Sequence, residues 1–221
     1  MIGSCSRWVA ACLVALITLA GGSIAVAQAR PGQGAMTPAE RARADSGRPP
    51  YTKADVDFIS GMIGHHAQAV LMASWAPTHG ASLSVRALCE RILVGQRDEI
   101  VFMQRWLRER RQPVPEAEAM HGAMAGMSHA MRALMPGMLT PEQLAQLDSA
   151  RGREFDRLFL TFMIQHHEGA ITMVDQLFGA QGAAQDDAIF KFASDVNADQ
   201  TTEIDRMTTM LATMASSERS P

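Results

Sequence analysis

Residues 58–72 read FISGMIGHHAQAVLM, and residues 159–173 read FLTFMIQHHEGAITM. Both follow the pattern F-x-x-x-M-I-x-H-H-x-x-A-x-x-M at an offset of 101 residues. In each copy the apolar residues recur at spacings of three and four, which predicts an amphipathic helix. Four of the seven histidines of the chain lie in these two frames. Because imidazole binds metals and protons, the repetition indicates a shared chemical role, and a metal site is the leading hypothesis.

A second pattern extends the repeat from one helix to a helical hairpin. The pattern Q-x-x-E-I-x-x-M-x-x-x-L occurs at residues 96–107 and again at residues 200–211. Helix start and stop signals place the hairpins at residues 52–111 and 140–214, with a bend near Gly152 and a link over residues 112–139. Since almost no segment favours β-structure, we expect an all-α fold, a four-helix bundle built from two repeated hairpins.

The N-terminus has the layout of a secretory signal peptide. Arg7 precedes an apolar run over residues 8–20, and small residues follow up to Ala27. We therefore expect cleavage near Ala27, a flexible leader over residues 28–51, and a periplasmic or secreted protein. Lipidation at Cys12 is disfavoured because its cleavage box precedes the apolar run. No stretch of the mature chain is long and apolar enough for us to expect membrane insertion.

Charge and cysteine content exclude several other classes of protein. The formal net charge is −3 and becomes −4 when the first 27 residues, with Arg7 as their one charged residue, are removed. This balance offers no basic surface, so nucleic acid is not expected as a partner. Cys89 is the one cysteine of the mature chain. An internal disulfide is thus excluded, and the domain must be held by its core or by a metal.

The residues around the histidines favour a soft metal. Met62 and Met163 lie three residues before the first histidine of each pair, one helical turn away. Di-iron bundles carry a glutamate at that spacing, and thioether in its place favours Cu(I), with Cu(II) possible through the imidazoles. The predicted ligands are Met62, His65, His66, Met72, Met163, His166, His167 and Met173, with Met103 and Met207 as secondary ligands. For Met72, Met173, Met103 and Met207, simple core packing is the alternative.

Helix faces assign further roles. His66 and His167 fall on the apolar helix face that is predicted to point into the bundle core. His65 and His166 fall on the adjacent face, which is predicted to point toward a neighbouring helix. Gln96 and Gln200 occupy core positions and are predicted to orient the imidazoles by hydrogen bonds without binding the metal themselves, whereas the carboxylates of Glu99 and Glu203 are expected to be solvated. The link contributes further secondary ligands or is merely a flexible tether; its candidates are Met120, His121, Met124, Met127, His129 and Met131.

These motifs, together with Met135-Pro136-Gly137-Met138-Leu139 leading into Gly152-x-Glu154-Phe155-Asp156, resemble a known family. It is the bacterial domain-of-unknown-function family 305, which includes CopM-like periplasmic copper-binding proteins. The resemblance covers residues 52–214. It implies a ferritin-like helical bundle in the cell envelope, with methionine and histidine ligands for copper.

We therefore expect an exported, non-enzymatic protein that sequesters or hands on Cu ions in envelope copper homeostasis or resistance. Its expected partners are metal ions and copper transporters or other envelope copper proteins. One alternative is a ferritin-like redox metalloprotein, a Cu or Fe oxidase, which requires carboxylates inside the bundle; Glu168 is the one acidic residue adjacent to a histidine pair. The other alternative is a metal-free helical envelope protein whose buried His/Gln networks specify the core.

Overall fold

The computed structural model describes residues 46–47, 50–115 and 135–217. Five helices lie within them, and no strand does: α1 (Lys53–Ser74), α2 (Leu83–Glu109), α3 (Pro141–Ser149), α4 (Gly152–Gly179) and α5 (Asp187–Ser217). The all-α prediction is confirmed. The predicted signal peptide, nearly all of the leader and the six Met and His candidates of the link fall outside the described residues.

Local sequence signals determine where the helices begin. At α1 the Thr52 hydroxyl accepts a hydrogen bond from the Asp55 amide, and the Asp55 carboxylate accepts one from the Thr52 amide at 2.7 Å. Thr140 and Gln143 form the same capping box before α3, where Pro141 occupies the first turn. The break between α3 and α4 falls at residues 150–151, next to the bend predicted at Gly152. Both capping boxes confirm the predicted starts.

The four long helices form two hairpins that meet through their first helices. Helix α1 packs against α2, α4 packs against α5, and α1 packs against α4, while the short α3 rests on α4. Helices α2 and α5 have no comparable contact and instead border a cleft. The double histidines lie on α1 and α4, so both pairs sit at the junction between the hairpins.

Two buried carboxylates join the hairpins reciprocally. Asp55 of α1 accepts a hydrogen bond from the Ala184 amide at 2.7 Å, in the turn of the second hairpin. Asp156 of α4 accepts one from the Ser82 amide at 3.2 Å, in the turn of the first hairpin. Positions 55 and 156 are separated by the same 101 residues as the histidine motifs (156 − 55). Helix α1 thus fixes the turn of the second hairpin, and α4 fixes the turn of the first, each through a charge-assisted hydrogen bond.

Residues 135–139, which we call the strap, cross the junction between α1 and α4. Gln68 of α1 holds the strap by donating to the Leu139 carbonyl at 3.2 Å and accepting from the Leu139 amide at 2.7 Å. On α4 the strap lies against Gly169, where an added Cβ would be 2.0 Å from the Pro136 carbonyl oxygen. Gly169 is therefore the position that lets the strap reach the helix.

We predict that Gly169→Ala destabilises the protein by about 2 kcal/mol or more, since overpacking against backbone atoms typically costs about 1–3 kcal/mol. The measurement is urea denaturation of the purified protein. Gly95→Ala on α2 is the matched control, because a Cβ there meets nothing within 4 Å. That control should be neutral or stabilising by about 0.5–1 kcal/mol. Equal stability of both variants would show that the strap does not depend on this contact.

Candidate metal centre

All four histidines of the repeated motifs are fully buried, each with 0% of its surface exposed. His65 of α1 and His166 of α4 contact each other in a tilted arrangement, with ring centroids 3.8 Å apart and planes inclined by 40°. Within each pair the rings are farther apart, 6.5 Å between His65 and His66 and 6.2 Å between His166 and His167. The first histidine of each pair therefore forms the contact between hairpins. The sequence prediction had placed the other two, His66 and His167, at the bundle core.

His66 and His167 point instead toward the second helix of their own hairpins, α2 and α5 respectively. His66 Nε2 lies 2.7 Å from the Glu99 carboxylate on α2, and His167 Nε2 lies 2.7 Å from the Glu203 carboxylate on α5. An ionised carboxylate only accepts hydrogen bonds, so each imidazole donates from Nε2. In the neutral ring the lone pair is then on Nδ1. Carboxylates that fix histidine tautomers in this way are a usual feature around metal-binding histidines.

These contacts correct two expectations from the sequence. Glu99 and Glu203 are not merely solvated charges, since each has a buried imidazole as its partner. Gln96 and Gln200 are buried as predicted, but their side-chain oxygens have no hydrogen-bond partner in the described part of the chain. The carboxylates, one turn further along each helix, orient these two imidazoles. The repeated Q-x-x-E pattern, which places a glutamate at the same position in both copies, is the feature of the sequence that could have indicated this role.

The remaining pair is held from one side by the strap. His65 Nε2 lies 3.0 Å from the Pro136 carbonyl oxygen, so this ring also donates from Nε2 and has its lone pair on Nδ1. His166 has no partner at either nitrogen. Among the described residues, the buried ring nitrogens without a hydrogen-bond partner are Nδ1 of His65, His66 and His167 and both nitrogens of His166. Buried polar atoms are usually satisfied, so five such nitrogens at one junction call for an explanation.

Burial also keeps the central pair uncharged. Loss of hydration, with the neighbouring His66 as the next cause, lowers the pKa of His65 to about 3. Burial, followed by the charge on His65, lowers the pKa of His166 well below its ordinary value. A histidine must be unprotonated to bind a metal, so both rings are in the ligand form at neutral pH.

The six candidate methionines of the helices form two groups, each drawn from both hairpins. All six are buried, with at most 4% exposed. One apolar cluster contains Met62, Met103 and Met173, and the other contains Met72, Met163 and Met207. In each cluster two methionines come from one hairpin and the third from the other. Their thioethers are thus part of the packed core around the histidines, a position that suits both packing and soft-metal binding.

The imidazoles do not form a closed site by themselves. Nowhere in residues 46–47, 50–115 and 135–217 are three histidine, cysteine or acidic side chains grouped closely enough to hold one ion. The buried thioethers of the two methionine clusters are a further type of donor in the same bundle. Cys89 is not such a donor, because burial raises the pKa of its thiol to about 12 and keeps it protonated.

The chain is similar to one protein family and to solved structures of that family. Residues 55–211 match the family described as Domain of unknown function (DUF305). A DUF305 fragment from Deinococcus radiodurans has a similar structure, with a TM-score of 0.62 and 28% identity over 74% of this chain and 99% of that one. No protein with a curated description matches the chain.

CopM is also similar, and it has been solved with copper. Its Cu(II)-bound form has a TM-score of 0.56 and 28% identity, covering 72% of this chain and 96% of CopM. Its Cu(I)-bound form has a TM-score of 0.55 and 25% identity, covering 74% and 98%. The family match over residues 55–211 spans well over half of this chain, so the chain belongs to the DUF305 family.

Proposed function

We propose that this chain is an exported copper-binding protein that sequesters or hands on Cu ions through imidazole and thioether ligands. The observation that carries the proposal is the set of five buried ring nitrogens without hydrogen-bond partners at the α1–α4 junction. An unsatisfied buried polar atom costs about 1–3 kcal/mol, so a purely structural role for all four rings is expensive. A bound metal would satisfy the lone pairs.

The donor set favours copper over harder metals. Neutral imidazoles and thioethers suit Cu(I), and the imidazoles alone also suit Cu(II). The relative CopM, solved with Cu(I) and with Cu(II), supports the same metal. The ligands we propose are His65, His66, His166 and His167, together with thioethers from the two methionine clusters. The expected recipients are copper transporters or other envelope copper proteins.

Export is supported by the signal peptide predicted over the first 27 residues. Within the described residues, no helix has the length and apolar character needed to cross a membrane. The family resemblance implies a ferritin-like bundle. That arrangement stays a prediction, because α2 and α5 border a cleft and do not pack against each other as the other pairs of long helices do.

A redox metalloprotein is a second candidate, and two contacts favour it. Glu99 and Glu203 bring carboxylates to His66 and His167, whereas the sequence had suggested that Glu168 alone adjoins a pair. Oxygen uptake by the Cu(I)-loaded protein tests this candidate. Catalytic uptake with repeated turnover would favour an oxidase, and a single equivalent or none would favour the non-enzymatic role.

For the copper site we predict that the double variant His65→Leu/His166→Leu binds fewer Cu(I) ions per chain than the unaltered protein. Leucine fills the space of the rings but offers no lone pair, so the metal-free helices should be retained. The measurement is competition for Cu(I) with a chromophoric chelator, with circular dichroism as the check on folding. His79→Gln, outside the repeated motifs, is the control and should bind a full complement. Full copper binding by the double variant would contradict the ligand assignment.

A second prediction concerns acid stability of the metal-free protein. Below about pH 6.5 the unfolded chain takes up protons on His65 and His166, but the folded protein resists until far lower pH, near pH 3 for His65. Because the unfolded state then binds more protons, the free energy of unfolding falls as pH falls through this window. From about pH 7.5 to about pH 5.5 the two groups together should lower it by roughly 2–3 kcal/mol.

Urea denaturation at the two pH values measures this loss. The variant His65→Leu/His166→Leu lacks both titrating groups and should lose less stability over the same interval. If the variant and the unaltered protein respond equally to acid, the two histidines are not the source of the pH dependence.

A further inference from the structure

The imidazoles at the junction are sealed from solvent, so an ion that binds there needs a way in. All four rings have 0% of their surface exposed. The strap covers the junction where it meets His65, through the Pro136 carbonyl. Between α2 and α5, by contrast, a cleft of about 500 Å³ is open to solvent. These are two boundaries that an incoming ion could cross.

Two glutamates lie between the cleft and the buried rings. Glu99 and Glu203 both line the cleft, with 24% and 21% of their side chains exposed. Their carboxylates also contact Nε2 of His66 and Nε2 of His167, each at 2.7 Å. Each of these two imidazoles is therefore one side chain away from the cleft.

The strap is the firmer of the two barriers. Side chains from both hairpins, those of His65, Gln68 and Gln165, hydrogen-bond to its backbone. The strap backbone also packs directly against Gly169. An ion that enters beneath the strap has to break these bonds and move a stretch of backbone. On the cleft side a half-exposed carboxylate only has to rotate, and water can solvate it as it moves.

The charges of the cleft favour the approach of a cation. Asp199, which also lines the cleft, has its pKa raised, first by partial burial and then by the negative charge of Glu99. Carboxylates of α5 and α2 therefore act on one another across the opening, and their combined field attracts positive ions. Arg91 and Arg206 border the cleft as well, but both are exposed to solvent, where water screens their charge.

We propose that the cleft between α2 and α5 is the passage through which copper ions enter and leave the buried centre, with Glu99 and Glu203 as the gate residues that an ion meets first. This inference rests on the proposed function and specifies how its site is loaded. The glutamates attract the ion and then rotate aside, so that it reaches the imidazoles of His66 and His167. A passage changes the rates of binding and release by the same factor, so the affinity is left to the ligands.

The test is to plug the cleft without altering any proposed ligand. In Gly95→Trp/Thr202→Trp one large ring is placed on each wall. A Cβ at Gly95 meets nothing within 4 Å, and Thr202 is exposed, so both rings can be accommodated. The measurement is stopped-flow transfer of Cu(I) from the loaded full chain to an excess of a chromophoric chelator. We expect release and loading to be at least about tenfold slower, with unchanged stoichiometry and affinity.

The matched control moves both rings by one position. Val94→Trp/Thr201→Trp alters exposed neighbours on the same two helices, which do not line the cleft, and should release Cu(I) at the unaltered rate. Equal release rates in the plugged and control variants, with copper fully bound, would overturn the passage and leave the proposed function standing. A chain that binds no Cu(I) would overturn both. If the plugged variant fails to fold, Thr202→Trp alone should still slow release.

A further variant tests the rival entrance beneath the strap. Gln165→Leu removes the hydrogen bond that Gln165 donates to the Gly137 carbonyl at 3.2 Å, and so loosens the strap. The passage through the cleft predicts an unaltered release rate for this variant. Faster release would place the entrance beneath the strap and overturn the proposal.

Discussion

The structure depends on the burial of four imidazoles where two helical hairpins meet, two of which, His65 and His166, form the contact itself. A histidine in the core must either give up its charge or gain a partner, and here His65 and His166 give up their charge. They meet each other ring to ring, and of the two, among the described residues, His65 alone donates a hydrogen bond, to the Pro136 carbonyl oxygen. The junction is thus built from side chains whose lone pairs the protein does not satisfy, which is costly for folding and suited to binding a metal.

The surrounding residues keep this arrangement in place. Reciprocal bonds from Asp55 and Asp156 fix the turns of the opposite hairpins, so α1 and α4 cannot slide independently. The strap then covers the junction from one side. It needs a glutamine at position 68 and a glycine at position 169, which are equivalent in the repeat (169 − 68 = 101). Positions 68 and 169 therefore differ because Gln68 holds the strap by hydrogen bonds, whereas Gly169 leaves room for its backbone.

Much of the fold could be predicted from the sequence, because caps, breaks and apolar spacing act locally. Thr52, Thr140 and the break near Gly152 located three helix boundaries, and the repeated motif indicated that the histidines are buried. Tertiary relations were harder. A helix-face argument could not tell which of two adjacent histidines meets the opposite hairpin. It also assigned Glu99 to solvent, because a carboxylate next to the apolar face of a helix is normally solvated. The imidazole that Glu99 contacts belongs to another helix, so the sequence of α2 alone could not reveal it. The metal ligands themselves remain predictions.

The central claim is that imidazole and thioether groups of the α1–α4 junction bind the same copper ion. X-ray absorption at the copper K-edge of the Cu(I)-loaded protein tests it most directly, because sulfur and nitrogen neighbours scatter at different distances, about 2.3 Å and about 2.0–2.1 Å by analogy with zinc sites. The account predicts both shells in the unaltered protein and a smaller nitrogen shell in His65→Leu/His166→Leu, in which His66 and His167 are the histidines left at the junction. A spectrum with sulfur alone or with light atoms alone, unchanged in that variant, would contradict it.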